Sequence, residues 1–216
     1  MQLNTLADRV VQGYRNHDGK TRYIVAIAGP PGSGKTTLAK SLCAQLRLRG
    51  YAVACLSMDG FHYFRRELDK MDDPERAHRL RGAPFTFDLP KLVAFSAKLA
   101  AGDELVCPTF NHAEKDPNPE GTVIERDTRI TVFEGNYLLY DKDGWQQLDE
   151  YWSDRWLLGI DENTLRDRLA QRHLRAGIVS TLEAGYERAD SNDIPNGRLV
   201  LEHSKFDLLI EGEIQQ

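Results

Sequence analysis

The sequence has little cysteine: Cys43, Cys55 and Cys107 are the only three in 216 residues, and none forms a C-x-x-C pair. An odd, scattered set of thiols argues against a disulfide framework or a thiolate zinc site and fits a reducing compartment. A basic surplus is also missing. The 28 Lys and Arg against 33 Asp and Glu leave a net charge of -5, so nucleic acid is not the expected partner. No stretch approaches the ~18 apolar residues of a membrane helix. The segment from Met1 to His17 mixes polar and apolar residues and lacks the apolar centre of a signal peptide. A cytoplasmic protein with no membrane partner is expected. Internal repeats and low-complexity tracts are absent as well. What remains is an ordinary globular mix, 41% hydrophobic and 28% charged, long enough for one domain with a full core.

Short apolar runs alternate with amphipathic segments. Leu3, Leu6, Val10 and Tyr14 recur at helical spacing. Tyr23 to Ala28 is a run without polar breaks, the pattern of a strand buried on both faces. Leu38, Ala39, Leu42 and Leu46 mark one face of a helix that ends near Gly50. Further strands are expected at Val53–Met58, Glu104–Phe110, Ile130–Phe133, Trp156–Ile160 and Phe206–Ile210, with helices at Leu89–Ala101 and 162–176 and helical pieces within 178–204. Residues 61–88 read as an irregular excursion. Residues 111–122, with Pro117, Pro119 and Gly121, read as a loop, and Val123–Glu125 as one arm of a hairpin with Thr128–Thr131. Asn192–Gly197 reads as turn-rich. Strands alternating with helices imply an α/β class with a mainly parallel sheet. Ligands of such sheets bind beyond the strand C-termini.

The first strand runs into Gly29-Pro30-Pro31-Gly32-Ser33-Gly34-Lys35-Thr36, followed by Thr37. This meets G-x-x-x-x-G-K-S/T in its required context, with a buried strand before and an amphipathic helix after. Glycines let the backbone approach phosphates, and successive N–H groups at a helix N-terminus make an anion site. Lys35 is expected to bridge the outer phosphates of ATP, and the Thr36 hydroxyl to ligate Mg2+.

Three other strands end in acids: Asp59, Glu134 and Asp161. Asp59 is placed to take the proton from an attacking hydroxyl or to hold metal through water, and Glu134 to supply the metal-site carboxylate. A capping or turn aspartate and a solvent-facing glutamate are the plain alternatives.

These blocks, in order, resemble the glycine-loop kinases that include uridine kinase, phosphoribulokinase and bacterial pantothenate kinase. The matching stretches are Gly29–Thr36, Ser57–His62, Gly82–Asp88, Pro108–His112, Val132–Leu139 and Arg166–Gly177. The resemblance is greatest to a bacterial fructose-transport-associated or nucleoside/nucleotide kinase-like subgroup. Asp59-Gly60-Phe61-His62 follows the pantothenate kinase form, while Tyr63–Arg81 matches neither that form nor the uridine kinase form. The resemblance implies a three-layer P-loop NTPase fold with helices on both faces of the sheet and a small helical lid. It implies one domain over 1–216, with an acceptor-site insert about 61–125 and a lid about 162–190. It maps the catalytic base onto Asp59, metal assistance onto Glu134, acceptor contacts onto Phe110 and His112, and phosphate-contacting lid arginines onto Arg168 and Arg172. His62 and Arg81 are further acceptor-site candidates. Arg166 and Arg175 are further lid candidates, and solvated or structural roles are the alternative for His62, His112, Arg81 and all the arginines of 65–81 and 166–175, Arg168 and Arg172 included. A homodimer is the assembly this family suggests.

The expected function is an ATP-dependent kinase acting on a hydroxyl of a small metabolite, such as a sugar, a nucleoside or a pantothenate-like acceptor. An ATPase or nucleotide-dependent regulator without an acceptor is the competing reading. The chain has no N/T-K-x-D motif, which disfavours a GTPase switch.

Overall fold

A computed structural model describes residues 2–111 and 113–211. Its elements follow the chain as α1 (Leu3–Asn16), β1 (Tyr23–Ala28), α2 (Lys35–Leu48), β2 (Val53–Ser57), α3 (Arg65–Leu68), α4 (Pro74–Arg79) and α5 (Leu89–Ala101). Then come β3 (Leu105–Asn111), β4 (Asp116–Ile124), β5 (Ile130–Glu134), β6 (Asp154–Gly159) and α6 (Glu162–Arg175). The last are α7 (Leu182–Arg188), a π turn at Ala189–Asp193, α8 (Ile194–Glu202) and β7 (Leu208–Glu211).

Five strands form a parallel sheet in the order β2-β5-β1-β6-β7. All six β1 residues are buried because both faces of the sheet are covered. Val25 and Ile27 point to a core built with α1 and α2. Ile24, Ala26 and Ala28 point to one built with α5, α8 and the aromatics Tyr137, Trp145 and Trp152. This is the expected three-layer α/β fold. Among the described residues no helix is long and apolar enough to cross a membrane.

The stretch read as a loop before Ile124 is a strand. β3 and β4 form a separate antiparallel ribbon in which Val106 pairs with Val123 and Phe110 with Pro117. Val123 therefore has no hairpin partner in 128–131, and Ile130 instead enters the parallel sheet opposite Tyr23 and Val53. A two-stranded ribbon has only edge strands, where a proline's missing N–H need not break a ladder. Gly121 is required there, since a Cβ would lie 2.0 Å from the Cys107 carbonyl oxygen. The excursion after Phe61 carries two short helices, and Asn192–Gly197 is helical.

Arg22 fastens the foot of the sheet. It is fully buried and donates to the carbonyls of Thr128 (2.7 Å), Leu99 (2.9 Å), Asp103 (3.1 Å) and Glu125 (3.2 Å). Arg22→Met would strand these acceptors beside an apolar side chain. A loss of about 3 kcal/mol is expected, which thermal unfolding would read as a midpoint lowered by roughly 6–12 °C. A change within a degree would deny Arg22 this role.

Candidate active site

The register of the parallel sheet gathers the site. Glu134 at the end of β5 lies opposite Ile27 of β1 on one side and Ser57 of β2 on the other. The three strand ends release the glycine loop, Asp59 and Glu134 at one edge of the sheet.

Local sterics fix each segment. Gly32 and Gly34 have φ of 83° and 98°, the left-handed region that glycine enters without strain. Gly60 and Gly135, which follow the two acids, are there for close approach. A Cβ on Gly60 would lie 2.0 Å from the Pro108 carbonyl oxygen, and one on Gly135 2.0 Å from Met58 Cγ. Asp59 lies in a single 3-10 turn, Met58–Phe61, and its N–H donates to Ser57 Oγ (3.3 Å). The β3–β4 ribbon is thereby pressed against the Asp59 turn.

Lys35 is buried and donates from Nζ to the Pro30 carbonyl (2.8 Å). Burial pushes its ammonium down to about 8, the nearby charge of Arg172 adds to the fall, and Glu134 and Asp59 oppose it. Burial raises the pKa of Glu134, and Asp59 adds to this. Lys35 and hydrogen bonds from Ser57 and Thr36 work in the other direction. Thr36 Oγ1 donates to Glu134 Oε1 at 3.1 Å. Lys35, Thr36, Glu134 and Asp59 thus form one electrostatic unit.

The expected ligands fit this arrangement. Ser33 Oγ, in the glycine loop, is buried with no partner. The loop's N–H groups lead into α2, and the poorly solvated Glu134 carboxylate beside a hydroxyl suits a hard cation. No group of three or more His, Cys, Asp or Glu side chains that could hold a metal exists among the described residues. Magnesium in phosphate sites takes one or two protein oxygens and the rest from phosphates and water, so Thr36 and Glu134 suffice.

Beside the loop a cavity of about 680 Å³ is lined by Ser33, Thr37, Ser41, Ile160, Arg168 and Ile210, among others. Thr37 and Arg168 are among the residues singled out from the sequence; Ser41, Ile160 and Ile210 are not, being ordinary residue types scattered along the chain. Asp161, at the rim of this cavity, accepts from the N–H groups of Asn163 and Thr164 as the N-cap of α6. The capping alternative accounts for it.

On the other side of Asp59, His62 Nδ1–H donates to the Asp59 carbonyl (2.8 Å), and its ring lies 3.9 Å from that of Phe87 and 5.1 Å from that of Phe110. Arg81 donates to the carbonyls of Lys115 and Tyr63 and to Asp116 Oδ1, and sits 5.4 Å over Phe110. These contacts show Arg81 holding the insert together. His112 lies outside the described residues. On α6, Arg166 makes two bonds to Asp190 and Arg175 bonds Gln171 of its own helix. Arg172 lies within electrostatic reach of Lys35.

Residues 24–152 match the Phosphoribulokinase / Uridine kinase family. The chain belongs to that family. A Schizosaccharomyces pombe protein provisionally named a uridine kinase is 40% identical over 180 residues, 81% of this chain and 76% of that protein. The ATP-dependent kinase YFH7 of Saccharomyces cerevisiae is 36% identical over 68% of this chain; the match spans only 51% of YFH7, about half its length. The solved structure of a provisionally named fructose transport system kinase from Silicibacter sp. TM1040 superposes with a TM-score of 0.88 at 31% identity, covering 97% of this chain and 99% of that one. The family's members are phosphotransferases that act on hydroxyls.

Proposed function

We propose that this chain transfers the γ-phosphate of ATP to a hydroxyl of a small metabolite, a sugar, a nucleoside or a pantothenate-like compound. The observation that carries this reading is the convergence of Lys35, Thr36, Glu134 and Asp59 at one sheet edge, with an aromatic wall of His62, Phe87 and Phe110 beyond Asp59.

Lys35 and the loop N–H groups hold the phosphates. Thr36 and Glu134 are the residues that would hold magnesium, which when bound neutralises charge on the phosphate oxygens. Asp59 accepts the acceptor's hydroxyl proton, and its pinned turn keeps the carboxylate in register with the loop. Arg168 and Arg172 stabilise the charge that spreads over the transferring group. The segment 61–125 supplies the acceptor side, and 162–190 the closing side, which limits transfer to water. The relatives are named for different acceptors, so they support the reaction class more than any one substrate.

A panel of nucleosides, sugars, pantothenate and glycerate, assayed with ATP and magnesium, tests this. ADP release should rise at least tenfold with one class of acceptor. Acceptor-independent hydrolysis across the panel, stimulated only by a protein partner, would replace the kinase reading with the ATPase reading.

A further inference from the structure

α7, the π turn and α8 form one continuous helical path from Leu182 to Glu202, interrupted by a widened turn. The cause is legible. Pro195 has no N–H to give and its ring crowds the carbonyl four residues back. The Ile194 N–H accordingly reaches to Ala189 O, a five-residue step.

The widened turn points its polar residues at three different parts of the protein. Asp190 takes both bonds from Arg166 on α6 (2.6 and 2.8 Å). Asp193 accepts from His173 Nε2 at 2.8 Å through Oδ2, while its Oδ1 lies 3.8 Å from Arg172 NH2. Asn192 donates from Nδ2 to the Arg81 carbonyl (3.1 Å) and accepts from Asn196 (3.2 Å). One turn further, Gly197 lies against the glycine loop, where an added Cβ would sit 3.2 Å from Pro30 Cβ. A single helical segment therefore touches the lid helix, the acceptor insert and the phosphate loop.

The two partners of Asp193 differ. His173 is buried and held at full hydrogen-bond contact, which fixes the carboxylate. The Arg172 side chain is 49% exposed and 3.8 Å away, an ion pair without a close hydrogen bond. The carboxylate is an anchored post and the guanidinium a tethered arm, with donors left over for a second anion.

We infer that Asp193 is a positioning residue that holds Arg172 for the terminal phosphate of ATP. The inference rests on the kinase reading for its purpose, but not for its test, which needs no acceptor. Asp193 touches no substrate; it acts through Arg172. Without it the arm keeps its charge and loses its direction, so discrimination between triphosphate and diphosphate falls while diphosphate binding persists.

The test compares binding of ADP and of an ATP analogue with a non-hydrolysable β–γ bridge, both with magnesium, by titration calorimetry. Asp193→Asn keeps the size and the bond to His173. It should weaken the analogue about tenfold and leave ADP within about twofold. Arg172→Ala should do the same, and the double variant should be no worse than either single one, the signature of two residues acting as a unit. Asp193→Glu should recover most of the loss. Asp190→Asn, on the same turn but paired with Arg166, serves as a control and should leave both affinities unchanged. Equal losses for both nucleotides, additive losses in the double variant, or tighter binding of the analogue by Asp193→Asn would each overturn the inference. A melting temperature lowered enough to account for the loss would overturn it too. Failure of the acceptor panel with these results intact would sink the kinase reading and leave this one standing.

Discussion

Asp59→Asn should leave nucleotide binding intact and lower the turnover of phosphotransfer by about 10²–10⁴-fold. Asparagine keeps the shape of the side chain, and the turn it sits in is held by other groups. Ser57 caps the Asp59 N–H, and Gly60 abuts the Pro108 carbonyl. The fold and the glycine loop should therefore survive. What is lost is a basic oxygen at the end of β2 within electrostatic reach of Lys35. The measurement is a pair of numbers: the affinity for ATP and the maximal rate with saturating acceptor. Unchanged turnover would remove Asp59 from the role of base. A parallel loss of ATP affinity would instead place it in the metal site with Glu134.

Lys35→Met should lower kcat/KM for ATP by roughly 10³-fold, the scale of removing one preorganised donor. It should also remove a pH dependence. In the free protein burial holds the Lys35 ammonium at about 8, below its ordinary 10.5. A polyphosphate beside it favours the charged form. ATP binding should therefore take up protons around pH 8–9 and weaken as the pH rises above 8, by at most about tenfold per pH unit. Calorimetry in two buffers of different ionisation enthalpy reads that uptake directly, and the methionine variant should show none from this group. Stability of the free chain follows the same linkage. Between about 8 and 10.5 the unfolded lysine binds a proton that the folded one does not, so this residue's contribution to stability improves as pH rises through that window. Below pH 8 its destabilising effect is present in full.

The centre of the site was legible because chemistry and secondary structure coincide there. Tyr23–Ala28 is uninterrupted and apolar, so the strand before the glycine loop needed no tertiary knowledge. Asp59 and Glu134 each close an apolar run, and the sheet register brings both to the loop. The β3–β4 ribbon was hidden by Pro117, Pro119 and Gly121, which mark loops in most contexts. Here they are tolerated because the ribbon has no interior strand and because Gly121 must let Cys107 pass. Asp161, like Asp59, follows an apolar run, yet it caps α6; whether a strand-end acid faces a ligand or its own helix depends on the next turn of chain. The π turn was hidden because its polar residues suggest a loop; Pro195 explains the widened step, and the segment packs with Gly197 against Pro30 and Asp193 bonded to His173.

The insertion of β5 between β1 and β2 carries a consequence for how the protein comes to exist. Glu134 reaches its partners Ile27 and Ser57 across long stretches of chain, and such non-local pairings form late because closing the loops costs entropy before any contact is gained. Until that strand is seated there is a glycine loop but no Glu134 beside Thr36. On the proposed function, nucleotide and metal would meet a complete site only in the finished protein, so their binding would slow unfolding and leave the rate of first folding to the chain itself.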